Sequence, residues 1–260
     1  MAVLPSRSGD YRTMTAPFPH SLETKRAAQI GLVVLQSDET IESDFRQLIP
    51  QEVELFVSRV PSAPEVTSET LASMEAHLGQ AASLFPQAAR FETIGYGCTS
   101  GSAQIGPARV AELIAAETDT GSVTNPLTAL VAACRHLGIT RLGMLSPYIA
   151  QVSERLQTAL ADEGITTPVF GSFDVAEEAR VVRIDAPSII AAAEGLAKQG
   201  GIDALFLSCT NLRTLGVITP LEARLGLPVL ASNQVLAWHM LQNANLPAPK
   251  AAAGRLFQRL

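Results

Sequence analysis

The order of segments along this chain occurs twice, and each copy ends on a cysteine. Gly31, opening Gly-Leu-Val-Val-Leu, precedes Cys98 by 67 positions; Gly143, opening Gly-Met-Leu-Ser-Pro, precedes Cys209 by 66. Short apolar runs rich in Val, Ile and Leu lie at 30–35, 53–60, 91–95, 141–145, 167–170, 204–208 and 228–231. They alternate with alanine-rich stretches of helical period at 69–84, 102–118, 126–137, 150–163, 186–199 and 234–243. This alternation is the signature of right-handed βαβ units around a parallel sheet with helices on both faces. The expected fold is α/β: two similar lobes, each a parallel sheet flanked by helices, related by a pseudo-two-fold with the active site between them. Residues 28–138 plus 232–245 are read as the first lobe and 139–231 as the second. Residues 1–27 read as a flexible N-terminal arm, and 246–260, with Pro247 and Pro249, as a peripheral C-terminal tail.

Composition removes several classes of function. A net charge of −6 with no Lys/Arg block gives nucleic acid no surface to hold. No apolar run approaches the roughly 18 residues that a membrane span needs. The first 25 residues scatter Arg7, Arg12 and Lys25 among Ser, Thr and Pro and lack the apolar core of a secretory signal. Three cysteines are too few for a disulfide framework and odd in number, which suits a reducing cytosol. A cytoplasmic location is therefore expected.

The cysteines carry the chemistry. Cys98 sits in Gly95-Tyr-Gly-Cys-Thr-Ser-Gly and Cys209 in Leu207-Ser-Cys-Thr-Asn-Leu, each after an apolar run and before a helix-like stretch. Helix-end N–H groups and the dipole favour a thiolate at such a point. A lone cysteine in a strand end is commonly a plain buried one; matched positions in two half-chains argue for function. Cys134, inside the alanine-rich 128–135 stretch, reads as structural. No C-x-x-C or H-x-x-x-H spacing exists, and His20, His77, His136 and His239 are scattered, so no zinc site is expected. Gly95, Gly97 and Gly101 miss the dinucleotide fingerprint because Ser100 stands where its third glycine belongs. Neither a phosphate-loop Gly-Lys-Ser/Thr nor G-x-S-x-G is present. Thr99, Ser100, Thr210 and Asn211 are placed to hold a carboxylate and an enolate-like charge through N–H groups and side chains. They are also ordinary N-capping residue types, and the two roles use different atoms.

Gly97-Cys98-Thr-Ser-Gly-Ser and Ser208-Cys209-Thr-Asn-Leu-Arg-Thr resemble the two signature segments of the maleate cis-trans isomerase and arylmalonate decarboxylase branch of the aspartate/glutamate/hydantoin racemase superfamily. The resemblance spans roughly residues 28–243. It implies two α/β lobes with the active site between them, no cofactor, a small carboxylate substrate and usually a homodimer. Decarboxylases of the branch keep one of the two cysteines and isomerases and racemases keep both, as here. Tyr148, in Leu145-Ser-Pro-Tyr, resembles the branch's substrate-contacting tyrosine. The segment Leu35-Gln-Ser-Asp-Glu-Thr lies where its maleate isomerases read Pro-Ser-Ser-Asn-Thr-Thr, which puts Asp38 in place of a carboxylate-binding asparagine. A second such asparagine falls near 174–183, a stretch that contains none. The Gln36–Thr40 segment also resembles racemase-like proteins associated with ectoine utilisation.

An asparagine amide donates to a carboxylate, whereas an ionised aspartate only accepts and repels one. An Asp38 facing the cleft disfavours a second substrate carboxylate and favours an ammonium or amide N–H; an Asp38 facing away is a helix N-cap. The expected activity is cofactor-independent racemisation or isomerisation of a small carboxylic acid, an amino acid or N-acyl amino acid, by a thiolate/thiol pair. Maleate isomerisation through covalent cysteine addition and malonate-type decarboxylation are the enzymatic alternatives. A non-catalytic binder of small acids is the alternative outside enzymes.

Overall fold

The computed structural model describes residues 17–249 and 254–259. Strands β1 (Gln29–Leu35), β2 (Glu54–Val60), β3 (Thr93–Gly97) and β4 (Val123–Thr124) form one parallel sheet in the order β2-β1-β3-β4. Strands β5 (Arg141–Ser146), β6 (Thr166–Ser172), β7 (Ala204–Leu207) and β8 (Val229–Ala231) form a second, in the order β6-β5-β7-β8. Both sheets thus run second, first, third, fourth, and the repeat in sequence is a repeat in space. All seven residues of β1 and all four of β7 are buried. Covered on both faces, a central parallel strand must be apolar throughout, which is why these strands read as continuous Val/Ile/Leu runs.

Eleven helices cover the sheets among the described residues: α1 (Ile41–Leu48), α2 (Ser68–Ser73), α3 (Glu75–Ser83), α4 (Thr99–Ile105), α5 (Pro107–Ala115), α6 (Pro126–Leu137), α7 (Ala150–Asp162), α8 (Glu178–Val181), α9 (Ala186–Ala197), α10 (Leu215–Leu225) and α11 (Ser232–Asn243). The expected helix over 102–118 is two, because Gly106 takes φ +96° and Pro107 has no N–H to continue the ladder. Its N-terminus also starts earlier, at Thr99, directly after Cys98. The expected helix over 69–84 likewise divides, at Met74.

The last strand of the second sheet leads straight into α11, which lies on α1, α6 and β3 of the first. Gly95 makes that approach possible: a Cβ there would stand 2.5 Å from the Met240 sulfur. The C-terminal tail is not peripheral where it is described. Leu256 and Phe257 are buried in the same core as α11, and the Arg255 N–H donates to the Glu222 carboxylate. Of the expected flexible arm, residues 1–16 lie outside the described residues; Phe18 and Leu22 are exposed.

Candidate active site

In each sheet the two central strands end at the same cavity. Asp38 follows β1 and Cys98 follows β3; Tyr148 follows β5 and Cys209 follows β7. Small molecules bind beyond the carboxyl ends of parallel strands, where the connecting loops diverge. The cavity is nearly closed, with room for about 10 Å³, and is lined by both sulfurs and by Asp38, Thr99, Ser100, Tyr148, Thr210 and Asn211, every residue expected from sequence. Glu178 and Ser37 join them.

Cys98 is the N-cap of α4, and its Sγ accepts the Gly101 N–H at 3.2 Å. Gly101 has no alternative: a Cβ there would lie 2.7 Å from the Tyr96 hydroxyl and 2.9 Å from Cys98 Sγ. Cys209 is built differently. No helix starts beside it, since α10 begins only at Leu215, which corrects the expectation of two matched helix ends. Instead the backbone turns sharply at Cys209, φ +101°, a conformation that side-chain-bearing residues rarely adopt. That turn aims the Asn211 N–H at Cys209 Sγ, 3.3 Å away.

Hydrogen bonds fasten the two cysteine loops to each other. The Ser232 hydroxyl, at the start of α11, accepts from Thr99 Oγ1 at 2.8 Å and from the Cys209 N–H at 3.0 Å. Thr210 Oγ1 donates to the Gly97 carbonyl at 3.2 Å. Among the described residues, the N–H groups of Thr99, Ser100 and Thr210 have no acceptor within the protein. Asn211 is different: its amide donates to Glu178 Oε2 at 2.6 Å, its amide oxygen accepts the Glu39 N–H at 2.9 Å, and its own N–H is on the sulfur. Its side chain positions protein groups and leaves the donor role to its neighbours.

Asp38 combines both roles weighed for it. Oδ1 accepts the N–H groups of Thr40 and Ile41, each at 2.8 Å, at the start of α1, while Oδ2 is buried with no hydrogen-bond partner. Arg59 secures the loop by donating to the carbonyls of Leu35, Gln36 and Asp38. Glu178 lies in the 174–183 stretch that lacks an asparagine; a four-residue helix gave no periodic signal to single it out. Ser232 had no local signal at all, because it reaches the site only when the chain returns to the first sheet.

The cavity's electrostatics are set by burial and by acid. No Lys or Arg lines it. Burial pushes the Cys98 thiol up to about 12, against the Gly101 N–H that favours the thiolate. Cys209 is pushed well above the ordinary thiol range by burial and then by the Glu178 charge. The helix-end stabilisation expected at both cysteines is therefore outweighed by desolvation. Asp38 and Glu178 are themselves raised by burial, each partly offset by the hydrogen bonds it accepts. Among the described residues no cluster of His, Cys, Asp and Glu is arranged for a metal ion, and no helix is long and apolar enough to cross a membrane.

Two repeated α/β lobes thus each bring one cysteine to a common cavity, the architecture of an α/β enzyme of the isomerase and decarboxylase class to which its relatives belong. The profile of the arylmalonate decarboxylase family matches residues 30–257, and the chain belongs to that family. A maleate isomerase from Nocardia farcinica is 30% identical over 242 residues, 89% of this chain and 96% of the relative. An arylmalonate decarboxylase from Bordetella bronchiseptica is 30% identical over 136 residues, 52% of this chain and 57% of that one. Among solved structures, a cysteine-to-serine variant of the Nocardia farcinica maleate cis-trans isomerase, holding a covalently bound succinylcysteine intermediate, superposes with TM-score 0.80 at 28% identity over 90% of this chain and 99% of that one. A glycine-to-cysteine, cysteine-to-serine variant of arylmalonate decarboxylase in a liganded form gives TM-score 0.81 at 25% identity over 90% and 100%.

Proposed function

We propose that this protein isomerises a small carboxylic acid that also carries a nitrogen N–H, an amino acid or N-acyl amino acid, by racemisation at the α-carbon. Cys98 and Cys209 are the catalytic pair. One sulfur, as thiolate, takes the α-proton; the other, as thiol, gives a proton to the opposite face. The free N–H groups of Thr99, Ser100 and Thr210 are donors for the substrate carboxylate and for the charge that grows on it as the carbon becomes planar. Asp38 accepts from the nitrogen. The chain is proposed to work as a homodimer in the cytoplasm.

The observation that carries this reading is the pairing of Asp38 and Glu178 in one cavity without a cation. Asp38 Oδ2, buried and unpartnered, is an acceptor awaiting a donor. A dicarboxylate would set its second charge against these acids, and two like charges 4 Å apart repel by about 4 kcal/mol at an effective dielectric near 20. An ammonium or amide N–H reverses the sign.

A second reading rests on the relative with the succinylcysteine intermediate. A thiolate adds to one carbon of a cis double bond, the new single bond rotates, and elimination of the sulfur gives the trans acid. Proton and deuterium NMR of amino acids, N-acyl amino acids and maleate in D₂O separates the two. Deuterium at the α-carbon with loss of optical rotation is the expected result. Fumarate from maleate, with a trapped sulfur adduct and no such exchange, would establish the second reading instead. Cys98→Ser and Cys209→Ser each stop turnover in both directions; full racemase activity in either variant discards the two-base scheme.

A further inference from the structure

The two sulfurs are not equivalent. Cys209 stands at one end of a buried hydrogen-bonded chain whose other end is a carboxylate. The Tyr148 hydroxyl lies 2.9 Å from Cys209 Sγ and 2.6 Å from Glu178 Oε1. A tyrosine has one proton to donate, and the carboxylate, which only accepts, takes it. The thiol proton of Cys209 is then directed at the tyrosine oxygen. Asn211 fixes both ends of this chain, through its amide on Glu178 Oε2 and its backbone N–H on the sulfur. Nothing comparable stands behind Cys98. Its sulfur accepts the Gly101 N–H and is also bonded by the Tyr96 hydroxyl, which favours the thiolate, but behind Tyr96 stands the Met74 sulfur at 3.7 Å and no carboxylate to take a proton.

We infer that Glu178 receives the proton of Cys209 through Tyr148, making Cys209 the base of the pair and Cys98 the resting thiol. Glu178 is thus a positioning residue for the thiolate, in an inference that rests on the two-cysteine reading above. The transfer is balanced. The S–H bond of Cys209 breaks as its proton bonds to Tyr148 Oη, while the original O–H of Tyr148 breaks and that proton bonds to Glu178 Oε1. One proton has moved from sulfur to carboxylate, the tyrosine is neutral before and after, and the group carries one negative charge throughout. The thiolate so formed never faces an ionised Glu178, which removes the repulsion that otherwise opposes it. Protons on such a chain titrate as a unit rather than by residue.

Site-resolved iodoacetamide labelling of the full chain, from about pH 5 to about pH 10, tests this, because the thiolate is the form that reacts. In the unchanged protein, Cys209 labelling is expected to rise with the ionisation of a carboxylic acid and then level off near neutrality. Glu178→Gln and Tyr148→Phe each slow Cys209 labelling at least about tenfold at neutral pH, and the rate then climbs about tenfold per pH unit, as for an isolated buried thiol. Cys98 labelling does not slow in either variant, since the Glu178 charge opposes its thiolate. A Glu178 that acts only through its charge predicts the opposite sign, since removing that charge would speed the labelling. Faster or unchanged labelling of Cys209 in Glu178→Gln overturns the inference. So does a folded wild-type protein whose Cys209 stays inert throughout while the urea-unfolded chain labels. Tyr148→Phe preserves the packing and keeps the question answerable where Glu178→Gln fails to fold. The labelling needs no substrate: an intact profile with a silent NMR panel discards the racemase reading alone, and an active panel with indifferent variants discards the relay alone.

Discussion

Asp38 is asked to do two things with two oxygens, and a single substitution separates them. In Asp38→Asn the amide oxygen can still accept the Thr40 and Ile41 N–H groups that Oδ1 now holds, so the start of α1 survives. The other atom becomes a donor where an acceptor stood. Loss of one charge-assisted hydrogen bond is worth roughly 1.5–3 kcal/mol, so kcat/KM for a nitrogen-bearing substrate should fall about 10- to 100-fold while maleate binds better. Competition kinetics with both acids measures this, and an unchanged preference would remove Asp38 from substrate recognition. Asp44, farther along α1, contributes to pH dependence. Burial raises it from 3.8 to about 6, although the Asn233 amide on its Oδ2 favours the charged form. The folded state therefore keeps a proton that the unfolded chain releases near 3.8, and this stabilisation is lost as pH rises through about 6. Its size is about 3 kcal/mol by linkage. Asp44→Asn should raise Tm above pH 6 and flatten the slope of stability between about pH 4 and about pH 6.

Among the elements, α6 shows what local signals can specify. Asn125 caps it by accepting the Thr128 N–H at 3.0 Å, Pro126 opens it, and Gly138 closes it in the left-handed conformation. Asn125→Ala should cost about 1 kcal/mol, read as a lower Tm with little change in activity. A stability loss within error would mean that tertiary packing alone holds the helix. The expected bounds of α6 coincide with the observed ones for this reason. Where the chemistry sits, such signals thin out. Pro220 inside α10 and Gly216 near its start mask a helix that tertiary contacts hold, and α1 is eight residues with charges between Ile41, Phe45 and Leu48. Cys209 looked like a second helix-end cysteine because Thr210 and Asn211 follow it. Those residues instead build a turn, whose positive φ no residue type announced. The cysteines, Thr99 and Ser100 were legible because they lie just past the end of a recognisable strand, and Tyr148 because Leu145-Ser-Pro-Tyr resembles a family segment. Glu178 was not, since it reaches the cavity from a short helix between β6 and α9.

At the scale of the molecule, the duplication was readable as spacing, and the identical strand orders are its physical expression. What spacing could not tell was how the chain closes on itself. Leu256 and Phe257 are buried beside α11, which crosses back to the first sheet and rests on β3. Gly95→Ala should report on that closure. Its new Cβ would press on Met240, which is fully buried, and overpacking of this kind costs about 1–3 kcal/mol. Met240→Ala in the same chain should recover part of the Gly95→Ala loss, and a double-mutant cycle that is strictly additive would mean that α11 does not bear on the sheet there.

Ser232 stands on the crossing itself, and its oxygen holds Thr99 from one half and Cys209 from the other. Any parting of the two halves would pull on the very atom that seats the sulfur. One hydroxyl thereby ties the seat of the Cys209 thiol to the seam between the two lobes.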